Sequence, residues 1–195
     1  MSDNMRQSIK DLLYIKRWPR GFGERPDEML FGERLFNSIP IEYDTNSVLK
    51  YIANEMPLSL SVNYKILKEL KVRMPGFKPK CMIDFGMGSG AATLAAIDIF
   101  GQNDDDREHI NKNDKSGRVG SLRKIFGIEP NKHFREYADV ILKQYKSQHH
   151  IRVVNNLQYK ITNSQPLVIS SFVLSEIPME KLDNVLDTLW RCTSK

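Results

Sequence analysis

Short apolar runs alternate along the chain with stretches of helical periodicity. The runs CMIDF (81–85), KIFGIEP (124–130), IRVV (151–154) and PLVISSFVL (166–174) are rich in apolar residues without strict alternation, as expected of strands covered on both faces. Between the first two runs, Ser89 to Phe100 reads as a helix. Asn131 is a good N-cap, and Phe134, Ala138, Ile141, Leu142 and Tyr145 recur behind it at helical spacing. A last helix carries Met179, Leu182, Val185, Leu186, Leu189 and Trp190 on one side. Upstream, Ser47 caps a short helix that runs through Met56 and stops before Pro57. A longer helix follows from Ser61, with Val62, Ile66, Leu70 and Met74 as its apolar face and Leu67 beside them, until Pro75-Gly76 ends it.

Residues 1–47 are weakly periodic and punctuated by Trp18-Pro19 and Gly21-Phe22-Gly23, so they read as an N-terminal extension. Residues 48–195 read as one domain, interrupted by a charged insertion at 102–121 that has no periodicity. The order of elements is helices, then β-α-β-α-β, a loop, and β-α. That alternation predicts an α/β fold with a parallel sheet wound by right-handed crossovers. Such sheets usually have more strands, so the sequence reads as a sheet truncated after its fourth strand, either a truncated product or part of a longer protein.

The stretch DFGMGSG, Asp84 to Gly90, joins the first strand to its helix. Glycines there permit a tight turn and close approach of a ligand to the backbone. A helix N-terminus supplies spare N–H groups and partial positive charge. Two cofactor patterns fit. Gly86, Gly88 and Ala91 satisfy the dinucleotide fingerprint. Asp84, Gly86, Gly88 and Gly90 satisfy the acid-plus-glycines pattern of S-adenosylmethionine enzymes. Charge favours the second: a carboxylate ahead of the glycines attracts an ammonium and repels a pyrophosphate. Glu129 ends the second strand, where an acid can accept both ribose hydroxyls of either cofactor. It lies further from the loop than the usual 20 or so residues, and the charged insertion accounts for the excess. Asn155 and Asn156, after the third strand, are weaker candidates to approach an adenine.

Composition narrows the setting. Lys and Arg number 29 against 24 acids, a net charge of +5, which suits contact with RNA. Lys65, Lys68, Lys71, Arg73, Lys78 and Lys80 form either a solvated helix face or a phosphate-facing patch. No apolar run approaches the roughly 18 residues that span a bilayer, and the N-terminus lacks a secretory apolar region. It is basic enough to pass for an organellar presequence, but Asp3 and Asp11 argue against one. Cys81 and Cys192 fit reduced thiols and cannot build a four-cysteine metal site.

Candidates for chemistry are few. Ser170, Ser171, Ser175 and Glu176 surround the end of the fourth strand, where a methyl acceptor would sit. No base or nucleophile is assigned, and methyl transfer can run on proximity and orientation alone. His109, His133, His149 and His150 show no triad or metal spacing and read as surface residues; no metal ligands are assigned.

With these segments placed, the chain resembles the assembly factors of the mitochondrial small ribosomal subunit, of the methyltransferase-like protein 17 and Rsm type. The likeness runs from about Tyr51 to Thr193. It rests on YIANEMP, the helix to RMPGF, MIDFGMGSGAATLAA, SSFVLSEIP and LDTLWRCTS. It implies a class I S-adenosylmethionine-dependent methyltransferase-like Rossmann fold with an N-terminal helical segment. It also implies S-adenosylmethionine held by Asp84, Gly86, Gly88, Gly90 and Glu129. The implied setting is the mitochondrial matrix, in ribosome assembly and translation. The implied partners are small-subunit ribosomal RNA and mitochondrial ribosomal proteins, with no DNA expected. Activity as an RNA methyltransferase is the alternative role. Two departures stand out. Glu55 occupies a position where the resemblance leads one to expect arginine. The family's iron–sulfur cysteines have no counterparts here, since Cys81 and Cys192 are not at those positions.

Overall fold

The computed structural model describes Gln7 and residues 43–101, 121–156 and 166–193. The extension expected at 1–47 and the insertion at 102–121 therefore lie almost wholly outside the described residues. The elements run α1 (Thr45–Asn54), α2 (Met56–Arg73), β1 (Cys81–Phe85), α3 (Ala91–Phe100), β2 (Lys124–Ile128), α4 (Lys132–Leu142), β3 (His150–Val154), β4 (Leu167–Ser170) and α5 (Met179–Thr193). Short 3-10 turns at Lys143–Tyr145 and Leu174–Glu176 follow α4 and precede α5.

The strands pair in parallel in the order β3-β2-β1-β4. The chain thus builds outward from β1 through β2 to β3, then returns to place β4 on the other side of β1. The direction of winding reverses between β1 and β4, and a doubly wound sheet opens a crevice at the carboxyl ends of its strands at that point. β1 is the spine: Cys81, Met82, Ile83 and Asp84 are all buried. α3 is apolar nearly all round, and nine of its ten residues are buried between the sheet and α2. A helix without a polar face is stable only when covered on both sides.

α2 corrects the expected helix boundaries. α1 ends at Asn54, and α2 begins at Met56 rather than Ser61, with Pro57 in its first turn. Proline is favoured there because the missing N–H has no helical partner to lose. The cap of α1 is Asp44 rather than Ser47; the Ser47 backbone N–H donates to Asp44 Oδ1 at 2.7 Å. The expected apolar face is also rotated. Met56, Leu60, Asn63 and Leu67 are buried, whereas Val62, Ile66 and Met74 are exposed. Asn63 hid the true seam from the pattern. It is tolerated inside because its amide donates to Ser59 O at 2.8 Å and to Ser171 Oγ at 2.9 Å.

On α5 the expected single stripe divides. Leu189 is buried, with Leu182 and Val185 half-buried, while Met179, Leu186 and Trp190 are exposed. The expected basic patch divides too. Lys71 Nζ donates to Ile99 O at 3.0 Å, and Arg73 pairs with Glu69 at 2.7 Å, leaving Lys65, Lys68, Lys78 and Lys80 as exposed cations. His149 is 2% exposed rather than on the surface, its Nδ1 lying 3.0 Å from Leu122 O. No helix among the described residues is long and apolar enough to cross a membrane.

Candidate functional site

The glycine loop follows β1 directly. Gly86, Gly88 and Gly90 take φ of 70°, 53° and 94°, a left-handed backbone that a side chain disfavours. The Gly86 and Met87 N–H groups donate to Ile128 O at 2.9 and 3.1 Å, which ties the loop to the end of β2. Gly90 N–H donates to Met87 O at 2.9 Å. Gly86 is pinned on its other side as well, because a Cβ there would run into the Val173 side chain. Gly88 differs: the nearest atoms to a Cβ there belong to the Phe134 ring, at 4.0 Å. The space beside the middle glycine is therefore the room the loop keeps.

Two buried carboxylates border the loop, Asp84 at its start and Glu129 on Gly88. Asp84 is 1% exposed and lies beneath the first turn of α3, where Thr93 Oγ1 donates to its Oδ2 at 2.7 Å. Gly90 leaves α3 without a side-chain cap, so Asp84 brings negative charge to that terminus. Burial pushes the Asp84 carboxyl up to about 6, against the lowering effect of Thr93. Glu129, at the end of β2, accepts from Gly88 N–H at Oε2 (2.9 Å) and from Asn131 N–H at Oε1 (2.8 Å). Burial also raises Glu129, and the Glu176 charge adds to this, while the two backbone donors and Arg135 pull it down. A carboxylate has lone pairs for about four donors, so the two N–H bonds leave capacity for a diol.

A third wall comes from outside the glycine loop and its strands. Asn131 caps α4, accepting from His133 N–H (2.9 Å) and Phe134 N–H (3.2 Å), and its Nδ2 donates to Tyr43 O at 3.0 Å. Phe134 meets Tyr43 and Tyr51 edge to face, with centroids 5.0 and 5.2 Å apart. The Tyr51 phenol is raised by burial; its bond with Ser59 opposes this, and the charges of Glu176, Glu55 and Glu129 reinforce it. After β4, Phe172 is 63% exposed with φ of 62°, a rare conformation for a non-glycine residue. Ser89 Oγ in the loop and Ser170 Oγ at the end of β4 are buried with no hydrogen-bond partner among the described residues.

The structure thus brings together Asp84, Gly86, Gly88, Gly90 and Glu129. Glu176 joins them electrostatically, and Ser171 is taken up by Asn63. Asn155 and Asn156 stand exposed beyond the edge strand β3, and Ser175 is exposed. Among the described residues, no three His, Cys, Asp or Glu side chains are grouped to hold a metal. Sequence reasoning missed Thr93 and Tyr51. Thr93 had a legible signal, a hydroxyl in the first helical turn behind a buried acid. Tyr51 carried no such signal.

The family pattern of mitochondrial small ribosomal subunit Rsm22 matches residues 45–195. The human protein described as ribosome assembly protein METTL17, mitochondrial, is 28% identical over 157 residues, 78% of this chain. The chain spans 31% of that relative's length. Among solved structures, a Methanococcus maripaludis protein provisionally classed as an S-adenosyl-L-methionine-dependent methyltransferase superposes with a TM-score of 0.52 at 16% identity. The match covers 78% of this chain and 58% of that one. The fold is the methyltransferase-like Rossmann fold.

Proposed function

The chain belongs to the mitochondrial small ribosomal subunit Rsm22 family, and from that premise we propose that it serves assembly of the mitochondrial small ribosomal subunit, docking on ribosomal RNA through a domain that binds S-adenosylmethionine. The observation that carries the cofactor reading is the buried Glu129 carboxylate on the Gly88 N–H, beside the loop glycine whose Cβ would meet nothing nearer than the Phe134 ring at 4.0 Å. Glu129 would take the ribose hydroxyls there, and the loop from Gly86 to Gly90 would face the rest of the molecule. Asp84 supports the site from beneath and contributes negative charge toward an ammonium.

The residues fit a cationic cofactor better than a dinucleotide. The N–H groups of Gly86, Met87, Gly88 and Gly90 all donate within the protein, and the first turn of α3 already meets a carboxylate. A diphosphate would find those donors taken and negative charge beneath the loop. Asp84, Glu129 and Glu176, coupled electrostatically, suit a ligand bearing a sulfonium and an ammonium. When bound, S-adenosylmethionine offers a transferable methyl group; no residue here is assigned to its transfer. Docking on RNA is supported by the net charge of +5 and by exposed Lys65, Lys68, Lys78 and Lys80. The proposed location is the mitochondrial matrix.

Cells carrying Gly88→Asp test the reading. The expected result is defective small-subunit assembly on gradients with every ribosomal RNA methyl mark intact. Normal assembly with one methyl mark lost would overturn the assembly role in favour of an RNA methyltransferase.

A further inference from the structure

We propose that Asn131 is a positioning residue that makes α1 a wall of the cofactor crevice, so that occupancy of the crevice and seating of α1 are coupled. The inference rests on the S-adenosylmethionine reading of the crevice and goes beyond it, to how the site communicates with the N-terminal helices.

The physical link is short and continuous. Gly88 N–H donates to Glu129 Oε2 at 2.9 Å, Asn131 N–H donates to Glu129 Oε1 at 2.8 Å, and Asn131 Nδ2 donates to Tyr43 O at 3.0 Å. Tyr43 directly precedes Asp44, the residue that caps α1. A second, apolar path runs beside the first. The Phe134 ring lies 4.0 Å from where a Gly88 Cβ would stand, and both Tyr43 and Tyr51 pack on that ring edge to face. Thr45 Oγ1, in the first turn of α1, lies 3.3 Å from His133 Nδ1 in the first turn of α4. α1 therefore touches the sheet's carboxyl edge through residues that also surround Gly88 and Glu129.

Asn131 joins the paths because it does three separate jobs. Its side-chain oxygen caps α4, its backbone N–H holds Glu129, and its side-chain amide holds the entry to α1. A ligand hydroxyl donating to Glu129 adds a bond to a carboxylate already fixed from two sides. That narrows the motion of residues 129–131 and, through the Tyr43 carbonyl, of α1. Coupling of this kind is reciprocal: a ligand that steadies α1 binds more tightly when α1 is seated.

Asn131→Ser isolates the link. Serine caps a helix about as well as asparagine but has no amide to reach Tyr43 O. The measurement is hydrogen exchange of the α1 amides in the full chain, with and without saturating S-adenosylmethionine. Calorimetry on the same samples reports binding. In the wild type, the ligand should slow exchange across 48–54 by about threefold to tenfold. In Asn131→Ser, the ligand should still bind, but the slowing of α1 exchange should shrink well below that of the wild type, because only the apolar path remains. Binding by the wild type without slowing, or equal slowing in Asn131→Ser, would overturn the coupling. A wild type that shows no calorimetric binding would overturn the cofactor reading itself, and the two failures are thereby distinct. Glu129→Ala tests the link without any ligand: it should speed α1 exchange, and an unchanged rate would overturn the proposal.

Discussion

The Gly88 backbone N–H donates to Glu129 Oε2 at 2.9 Å, joining the middle of the glycine loop to the end of β2 across 41 residues. The same carboxylate holds Asn131 N–H, so its removal leaves two backbone donors without their acceptor. Glu129→Ala should cost about 1–3 kcal/mol of stability and lower S-adenosylmethionine affinity about tenfold or more. Chemical denaturation and calorimetry measure the two effects separately. Unchanged affinity in a folded variant would remove Glu129 from the site.

Gly86 and Gly88 should fail differently when changed to alanine. At Gly86, positive φ combines with a clash against Val173, so the loss should be one of stability, about 2–5 kcal/mol. Val173→Ala in the same chain should recover part of it. At Gly88 the Cβ would meet only the Phe134 ring, at an ordinary contact distance of 4.0 Å, so stability should fall by about 1–2 kcal/mol, the cost of positive φ, while cofactor affinity falls more steeply. Melting curves and titrations of the three variants check the contrast.

Asp84 should make the fold less stable as pH rises. Burial raises its carboxyl from 3.8 to about 6. Below pH about 4 both folded and unfolded chains carry the proton, and no penalty exists. Between there and about 6 the unfolded chain ionises first, so stability falls with rising pH, by roughly 3 kcal/mol in all. Asp84→Asn should flatten this part of the denaturation profile. Affinity for a cationic cofactor should run the other way, strengthening as Asp84 and Glu129 ionise.

His149 should have the opposite effect in a higher window. Burial pushes its imidazole below the ordinary value of 6.5, so the folded chain holds it neutral. As pH falls below about 6.5 the unfolded chain takes up a proton first, and stability declines. His149→Asn should be less stable than the wild type at pH 8 but lose less between pH 7 and 5. Urea midpoints across that range separate the two titrations.

Lys65 and Lys68 are exposed on α2 and, among the described residues, are not committed to internal bonds like that of Lys71. Changing both to glutamate should weaken binding to a ribosomal RNA fragment and reduce the salt-dependence slope by about two. Filter binding at graded salt measures both. An unaltered slope would move the RNA contact to another face.

The parallel sheet was legible because its strands are short, predominantly apolar runs, as in CMIDF where Asp84 is the one polar residue, and because glycines stand where β1 must turn into α3. Asn131 was legible as a cap from its place before an amphipathic run. The α2 face was not, because Asn63 occupies its buried seam and exposed Val62 and Ile66 imitate a core stripe. A hydrophobic pattern cannot anticipate that an amide will find Ser59 and Ser171 as partners. For the same reason His149 read as surface: its neighbour Leu122 O is distant in sequence. Asp84 was legible as a site acid, yet its bond to Thr93 beneath α3 needed the fold to be seen.

The cofactor assignment is tested most directly by titrating the full chain with S-adenosylmethionine and, in parallel, with NAD in a calorimeter at pH 7.5. The account predicts saturable binding of one S-adenosylmethionine, weakened about tenfold or more by Glu129→Ala, and no heat from NAD. Tight binding of NAD with none of S-adenosylmethionine would contradict it.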